Sequence, residues 1–165
     1  MRPDPAPHLA EVAEALARPG QPEASFAALD RAAAAAIGHK LFTVLVLHPE
    51  AGESERRYSN RPHEYPIGGR KKPNPGRWTR RILEEKQPFI GYDDADISEV
   101  FGDHALIASL GCASVLNLPV VWDGRVLGTL NLLHEARWYA ESDVPTGRLF
   151  AALAVPAWLA ATATR

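Results

Sequence analysis

The stretch Ser109–Glu135, SLGCASVLNLPVVWDGRVLGTLNLLHE, decides the fold. Two apolar runs rich in β-branched residues flank Asp123-Gly124. A two-residue hairpin turn of the favoured twist needs positive φ, which glycine tolerates freely and aspartate to a lesser degree. Neither run alternates cleanly between polar and apolar, so the hairpin is expected at the centre of a sheet, covered on both faces. A tight turn puts Trp122 opposite Arg125, and unbroken pairing from there puts Leu118 opposite Thr129 and Leu116 opposite Asn131. One face would then carry Ser114, Leu116, Leu118, Thr129, Asn131 and Leu133. The other would carry Ala113, Val115, Asn117, Val121, Leu130, Leu132 and His134. The first face holds more hydroxyl and amide groups, as a ligand-binding floor does. The alternative is that Asn131 only satisfies local backbone groups.

Upstream of the hairpin, Leu41–Leu47 (LFTVLVL) reads as a buried strand, and Arg56–Asn60 can pair back on it after the Pro49–Gly52 turn. Helices are predicted over His8–Arg18 and Ser25–Ile37, the second stopped by Gly38. The proline-rich start, Met1–Pro7, is expected to be disordered or loosely docked. Arg61–Arg77, RPHEYPIGGRKKPNPGR, has no regular period and reads as a long loop, the kind of segment that serves as a lid or binding loop. Trp78–Lys86 should be helical, Phe89–Tyr92 a short strand, and Asp96–Leu110 helical in pieces. After the hairpin, Ser142 or Asp143 can cap a last helix with Leu149, Phe150 and Leu153 facing inward. Strands joined mainly by hairpins, with helices at the ends and in the middle, make this an α+β domain around a central antiparallel sheet.

Composition bounds the chemistry. The 165 residues are 46% apolar and 23% charged with a formal net charge of −2, so bulk electrostatics recruit neither nucleic acid nor an anionic membrane. A single cysteine, Cys112, excludes an internal disulfide and a cysteine-rich zinc site, and suits a reducing cytoplasm. No secretory h-region opens the chain. The late apolar run Leu149–Ala161 falls short of the ~20 residues of a membrane span.

Three clusters are candidates for chemistry. The long loop holds Arg70, Lys71 and Lys72 beside Gly68-Gly69, with Arg56, Arg57, Arg61, Arg77, Arg80 and Arg81 flanking it, and few acids oppose them. Arg70 can clamp a carboxylate or phosphate, and Tyr65 and Trp78 provide aromatic walls. The competing reading is a solvated basic face. Tyr92–Asp96, YDDAD, with Glu99 and Asp103, is either a cationic-group or metal contact or a capping segment. His104 follows Asp103 directly as a candidate for acid-base chemistry, yet no H-x-x-x-H spacing supports a metal site, and Cys112 reads as an inert core thiol.

The P-V-V-W-D-G approach over Pro119–Gly124 and the G-T-L-N-L that follows from Gly128 resemble the closing hairpin of GAF domains. The element order from about Ser25 to Ala161 resembles that family too. The resemblance implies a GAF/PAS-like sheet of about six antiparallel strands. Terminal helices would cover one face, and a ligand pocket with shorter helices and a long loop the other. It implies an extension over 1–22, partly disordered or a short helix, and a single domain over 23–165. Family members that reduce free methionine-R-sulfoxide pass oxidation between several cysteines, and this chain has one. Bilin-binding members carry a Cys-His pair where this sequence has Asp103-His104, and no cyclic-nucleotide N-K-x-x-x-F-x-x-x-D-E pattern is present.

The resulting expectation is a stand-alone, non-catalytic sensory or regulatory protein of the cytoplasm. It would bind a small polar or anionic metabolite through Asn60, Tyr65, Arg70, Lys71, Trp78, Asp96, His104, Ser114, Thr129 and Asn131. The cofactor is left open, and no metal, nucleic acid or membrane partner is indicated. A homodimer through the alanine-rich terminal helices is expected as well. The rivals are an enzyme working through the Asp96/His104 region, and an interaction subunit whose terminal helices form that homodimer or dock on another chain.

Overall fold

The computed structural model describes residues 1–163, so the last two positions of the domain expected over 23–165 lie outside it. Six strands form one sheet in the order β3-β2-β1-β6-β5-β4, with every neighbouring pair antiparallel. They are β1 (Leu41–His48), β2 (Glu53–Ser59), β3 (Arg70–Lys71), β4 (Phe89–Gly91), β5 (Ser114–Trp122) and β6 (Arg125–His134). The hairpin β5–β6 is thus interior, as its composition requires. Helices α1 (Ala6–Leu16), α2 (Glu23–Ala36), α6 (Val144–Leu153) and α7 (Val155–Ala163) belong to one face. Between β3 and β5 lie α3 (Arg77–Thr79), a π-helical turn (Arg80–Glu84), α4 (Asp94–Val100) and α5 (His104–Ser109), which belong to the other. The architecture is the α+β arrangement expected.

The terminal helices fit closely because their inner positions are small. Ala28, Ala32, Ala33 and Ala36 of α2 are buried, as are Ala151, Ala154, Ala157 and Ala161 further on. The gaps they leave are filled by Phe26, Phe42, Phe150 and Trp158, all fully buried in one cluster with Leu116, Leu118, Leu130 and Leu132. The α2 carboxyl end, where carbonyls lack helical partners, is closed by aromatic donors: Trp138 Nε1 reaches Ile37 O at 3.0 Å and Tyr139 Oη reaches Gly38 O at 2.8 Å. Gly38 there has a φ of 102° and lies under the Trp138 ring. Arg2 lies over the same indole and pairs with the buried Asp143 at 2.9 Å, which docks the proline-rich start. In α6, Phe150 points inward while Leu149 is 51% exposed, against the inward placement read from spacing.

The register departs from the sequence reading in one respect that matters. Trp122 does face Arg125, but the pairing does not continue unbroken. Val121 faces Val126 and Val120 faces Gly128, so Leu127 is an extra residue on β6. Beyond this bulge Asn117 faces Asn131 and Leu116 faces Leu132. A bulge adds one residue to one strand and so shifts every later pair. The expected grouping is therefore corrected: β6 keeps Thr129, Asn131 and Leu133 together, but their β5 neighbours are Pro119, Asn117 and Val115. Leu116 and Leu118 belong to the helix-covered core. A second bulge lies in β2, where Tyr58 faces Val44 and Arg56 faces Leu45, leaving Arg57 unpaired. The segment read as structureless also yields β3, whose Arg70 and Lys71 pair with Glu55 and Ser54 at the sheet edge.

No single described helix is long and apolar enough to cross a membrane. Glu141–Leu153 and Val155–Thr162 reach that length only together, across a 48° bend.

Candidate functional site

The face of the sheet away from the terminal helices carries a cavity. Its floor is Thr43 and Leu45 of β1, Val115 and Asn117 of β5, and Thr129, Asn131 and Leu133 of β6. Arg56 of β2 and Tyr65, Lys71 and Lys72 of the following segment form one wall. Trp78, Phe101 and Ile107 close it from the other side. The space is about 70 Å³ on the Asn117–Asn131 side and about 90 Å³ on the Lys72–Thr129 side.

The two bulges determine which side chains reach it. With Arg57 out of register, both Arg57 and Tyr58 turn to the helices. Arg57 donates to Ala161 O at 3.0 Å, and Tyr58 donates to Asp30 Oδ2 at 2.7 Å. Arg56 is thereby aimed into the cavity, a common effect of a bulge beside a site. The β6 bulge places two asparagines side by side beneath it.

The floor carries one directed chain of hydrogen bonds. Trp78 Nε1 donates to Asn117 Oδ1 at 2.9 Å, and Asn117 Nδ2 donates to Asn131 Oδ1 at 2.7 Å. Asn131 Nδ2 in turn donates to Thr43 Oγ1 at 3.2 Å. Such a chain fixes both amide orientations and holds the indole across the cavity. Opposite, Tyr65 Oη donates to Asp103 Oδ2 at 2.6 Å. Burial, reinforced by that bond and the Asp103 charge, pushes the Tyr65 phenol well above its ordinary range, so it remains a donor. The Arg56 guanidinium lies 4.7 Å over the Tyr65 ring and donates from Nη1 to Pro66 O at 3.1 Å. Burial lowers its pKa, opposed by Tyr65 and Asp103, and an arginine so placed keeps its charge. Two buried polar atoms on this surface lack partners: Arg56 Nε and Thr129 Oγ1.

Of the ten residues expected to bind, Tyr65, Lys71, Trp78, Thr129 and Asn131 line the cavity. The other five are placed elsewhere. Asn60 closes the start of β1, accepting from Phe42 N at 2.8 Å and donating to Lys40 O at 3.2 Å. Arg70 lies on the outer edge, 3.8 Å from Glu53 and 3.6 Å from Glu55. Asp96 accepts from Tyr92 N at 2.8 Å and lies 3.5 Å from Arg77. The α4 cap is Asp93, which accepts from Asp96 N at 3.1 Å. His104 is exposed beside an outer cleft with Asn74 and Arg77, and no ion pair or hydrogen bond joins it to Asp96 among the described residues. Ser114 is fully buried and donates to Glu135 O at 2.7 Å.

Arg56, Asn117, Thr43, Phe101 and Asp103 reach the cavity without having been singled out as contacts. Only a glycine inside a strand, Gly128, hinted at the bulge that turns Asn117 toward it. Cys112 is buried beside the cavity cluster, and burial pushes its thiol up. It is expected to resist thiol reagents in the native protein and to react at once in denaturant. Rapid native labelling, followed by absorbance of the released aromatic thiolate, would contradict this placement.

Residues 11–158 match the family profile described as GAF domain. No curated protein matches the chain at significance. Among solved structures, the GAF domain of an Acinetobacter phosphoenolpyruvate-protein phosphotransferase superposes with a TM-score of 0.78 at 14% identity, over 99% of this chain and 98% of that one. The corresponding domain from Coxiella burnetii gives 0.74 at 17% identity, over 96% and 95%. A phycocyanobilin-bound GAF domain of a cyanobacterial phytochrome gives 0.73 at 16% identity, over the full length of both. The matched profile, the strand order and the cavity on the face away from the terminal helices together give one conclusion: this chain belongs to the GAF domain family.

Proposed function

We propose that this domain is a sensory or regulatory module that binds a small polar or anionic molecule in the cavity between the sheet and the Tyr65–Trp78 segment. One observation carries the proposal: a largely apolar cavity holds an oriented amide chain and the half-buried Arg56, with the exposed Lys71 and Lys72 at its rim. Neither Arg56, Lys71 nor Lys72 takes part in an ion pair among the described residues. A solvated basic face would carry its arginine outside, whereas Arg56 lies against the Tyr65 ring with a buried Nε.

The space also argues for a small ligand. Pockets for drug-sized molecules span roughly 300–1,000 Å³, several times the free volume here. A tetrapyrrole or cyclic nucleotide would require Trp78 and Tyr65 to leave. Binding without chemistry is favoured because the thiol is buried and protonated, and Asp96 is engaged by Tyr92 N and Arg77 with no bond to His104 among the described residues.

A thermal-shift screen of small metabolites tests the proposal. A ligand at about 100 times its Kd should stabilise the protein by about 2.7 kcal/mol. The same ligand should change the fluorescence of Trp78, and Trp78→Phe should abolish that change. A screen of anionic and polar metabolites with no stabilising member would overturn the reading.

A further inference from the structure

We propose that Arg56 is a side-on carboxylate clamp and that the ligand is a short-chain monocarboxylate bearing a hydrogen-bonding group at its far end. This rests on the cavity being a binding site, as proposed above, and adds the ligand's chemical class.

The argument begins with what Arg56 has left to offer. Its Nη1 is engaged by Pro66 O, while Nε is buried and has no partner. The remaining Nε–Nη2 edge presents two parallel N–H groups, the spacing that a planar carboxylate accepts with both oxygens. The same half of the cavity is lined by the apolar Leu41, Leu133 and Ile107. The acid among the lining residues, Asp103, is occupied by Tyr65 Oη at 2.6 Å and makes no ion pair with Arg56 among the described residues. Its charge on the same wall opposes a second negative charge, so a monoanion is favoured over a phosphate dianion.

The far end follows from strand register. Arg56 faces Leu45 across β2–β1, and Leu45 faces Thr129 across β1–β6. Two inter-strand spacings separate Arg56 from Thr129, about 9–10 Å at the backbone. Thr129 is 1% exposed and its Oγ1 has no partner, so a second buried polar group waits at the other end of this row. Between them Leu45 forms the floor, with Trp78 and Phe101 above. An anionic head, an apolar middle and a polar tail therefore match the row in order. The space of about 70 and 90 Å³ suits such a molecule, since a dry cavity of roughly 150 Å³ holds benzene.

The test uses the whole chain and five probes: pentanoate, 5-hydroxypentanoate, 4-oxopentanoate, pentanamide and inorganic phosphate, each titrated to millimolar concentration by calorimetry and Trp78 fluorescence. The acids should bind, the two with a polar tail more tightly than pentanoate. Pentanamide should bind at least about tenfold more weakly than pentanoate. Arg56→Gln should weaken acid binding by about tenfold to a hundredfold. Thr129→Val, which removes the unpaired hydroxyl, should erase the advantage of the polar-tailed acids over pentanoate. The comparison of pentanoate with pentanamide needs no variant, so it decides the matter even where Arg56→Gln folds poorly. Equal binding of acid and amide, or full affinity in a folded Arg56→Gln protein, overturns the clamp and leaves the cavity as a binding site. Phosphate binding with no carboxylate binding also overturns it. If none of the probes binds while the metabolite screen yields a ligand, the carboxylate class alone is wrong.

Discussion

Gly128→Ala is expected to destabilise this protein more than a methyl added at any other glycine, by about 3 kcal/mol or more. At Gly38, Gly91 and Gly147 the nearest neighbours of an added Cβ are side chains. At Gly128 the methyl is driven into the backbone carbonyl oxygen of Leu45, and next into the Trp158 indole. Neither can move cheaply. Trp158 is fully buried and its Nε1 donates to that same Leu45 oxygen at 2.9 Å, so displacing either one orphans a buried polar group. The thermal midpoint should fall by roughly 10 °C, given the 2–4 °C per kcal/mol of a chain this size. Gly102→Ala, in open space, is the control and should stay within about 0.5 kcal/mol. Chemical denaturation of both variants measures the difference. A loss at Gly128 as small as the control's would mean that the strand yields there.

The second large effect is a coupling. Asn131→Leu removes the acceptor of Asn117 Nδ2 and the donor to Thr43 Oγ1, leaving polar groups stranded among Leu45, Val115 and Leu133. It should destabilise the fold by about 2–3 kcal/mol. Asn117→Leu strands the Trp78 indole N–H and Asn131 Oδ1, with a similar loss. The double variant should lose clearly less than the sum, because the pair then leaves no amide facing an apolar neighbour. Denaturant titration of the four proteins gives the interaction energy directly. Additivity within about 0.5 kcal/mol would show that the two amides do not act as a unit.

Sequence carried the fold because its strongest signals were local. Asp123-Gly124 fixed the turn, the flanking runs fixed an interior hairpin, and Ser25–Ile37, stopped by Gly38, marked a helix. The cavity was only half legible. Thr129 and Asn131 were identified correctly as sharing a face, because period two holds within one strand. Their β5 neighbours were not, because Leu127 is a single unpaired residue with no distinctive chemistry. Arg56 was lost in the same way: among three successive charged residues, only the bulge at Arg57 decides which one turns inward. Arg70 looked the better clamp from its Gly-Gly approach, yet Glu53 and Glu55, distant in sequence but adjacent across the β2–β3 pair, neutralise it. The π-helical turn that carries on from Trp78 has no sequence signature here beyond ordinary helix propensity.

Leu45 belongs to both layers at once. Its side chain supports whatever occupies the cavity, and its carbonyl is the anchor point for the tryptophan of the final helix. A ligand that displaced Leu45 would therefore strain the Trp158 hydrogen bond directly, with no intervening residue between cavity and helix.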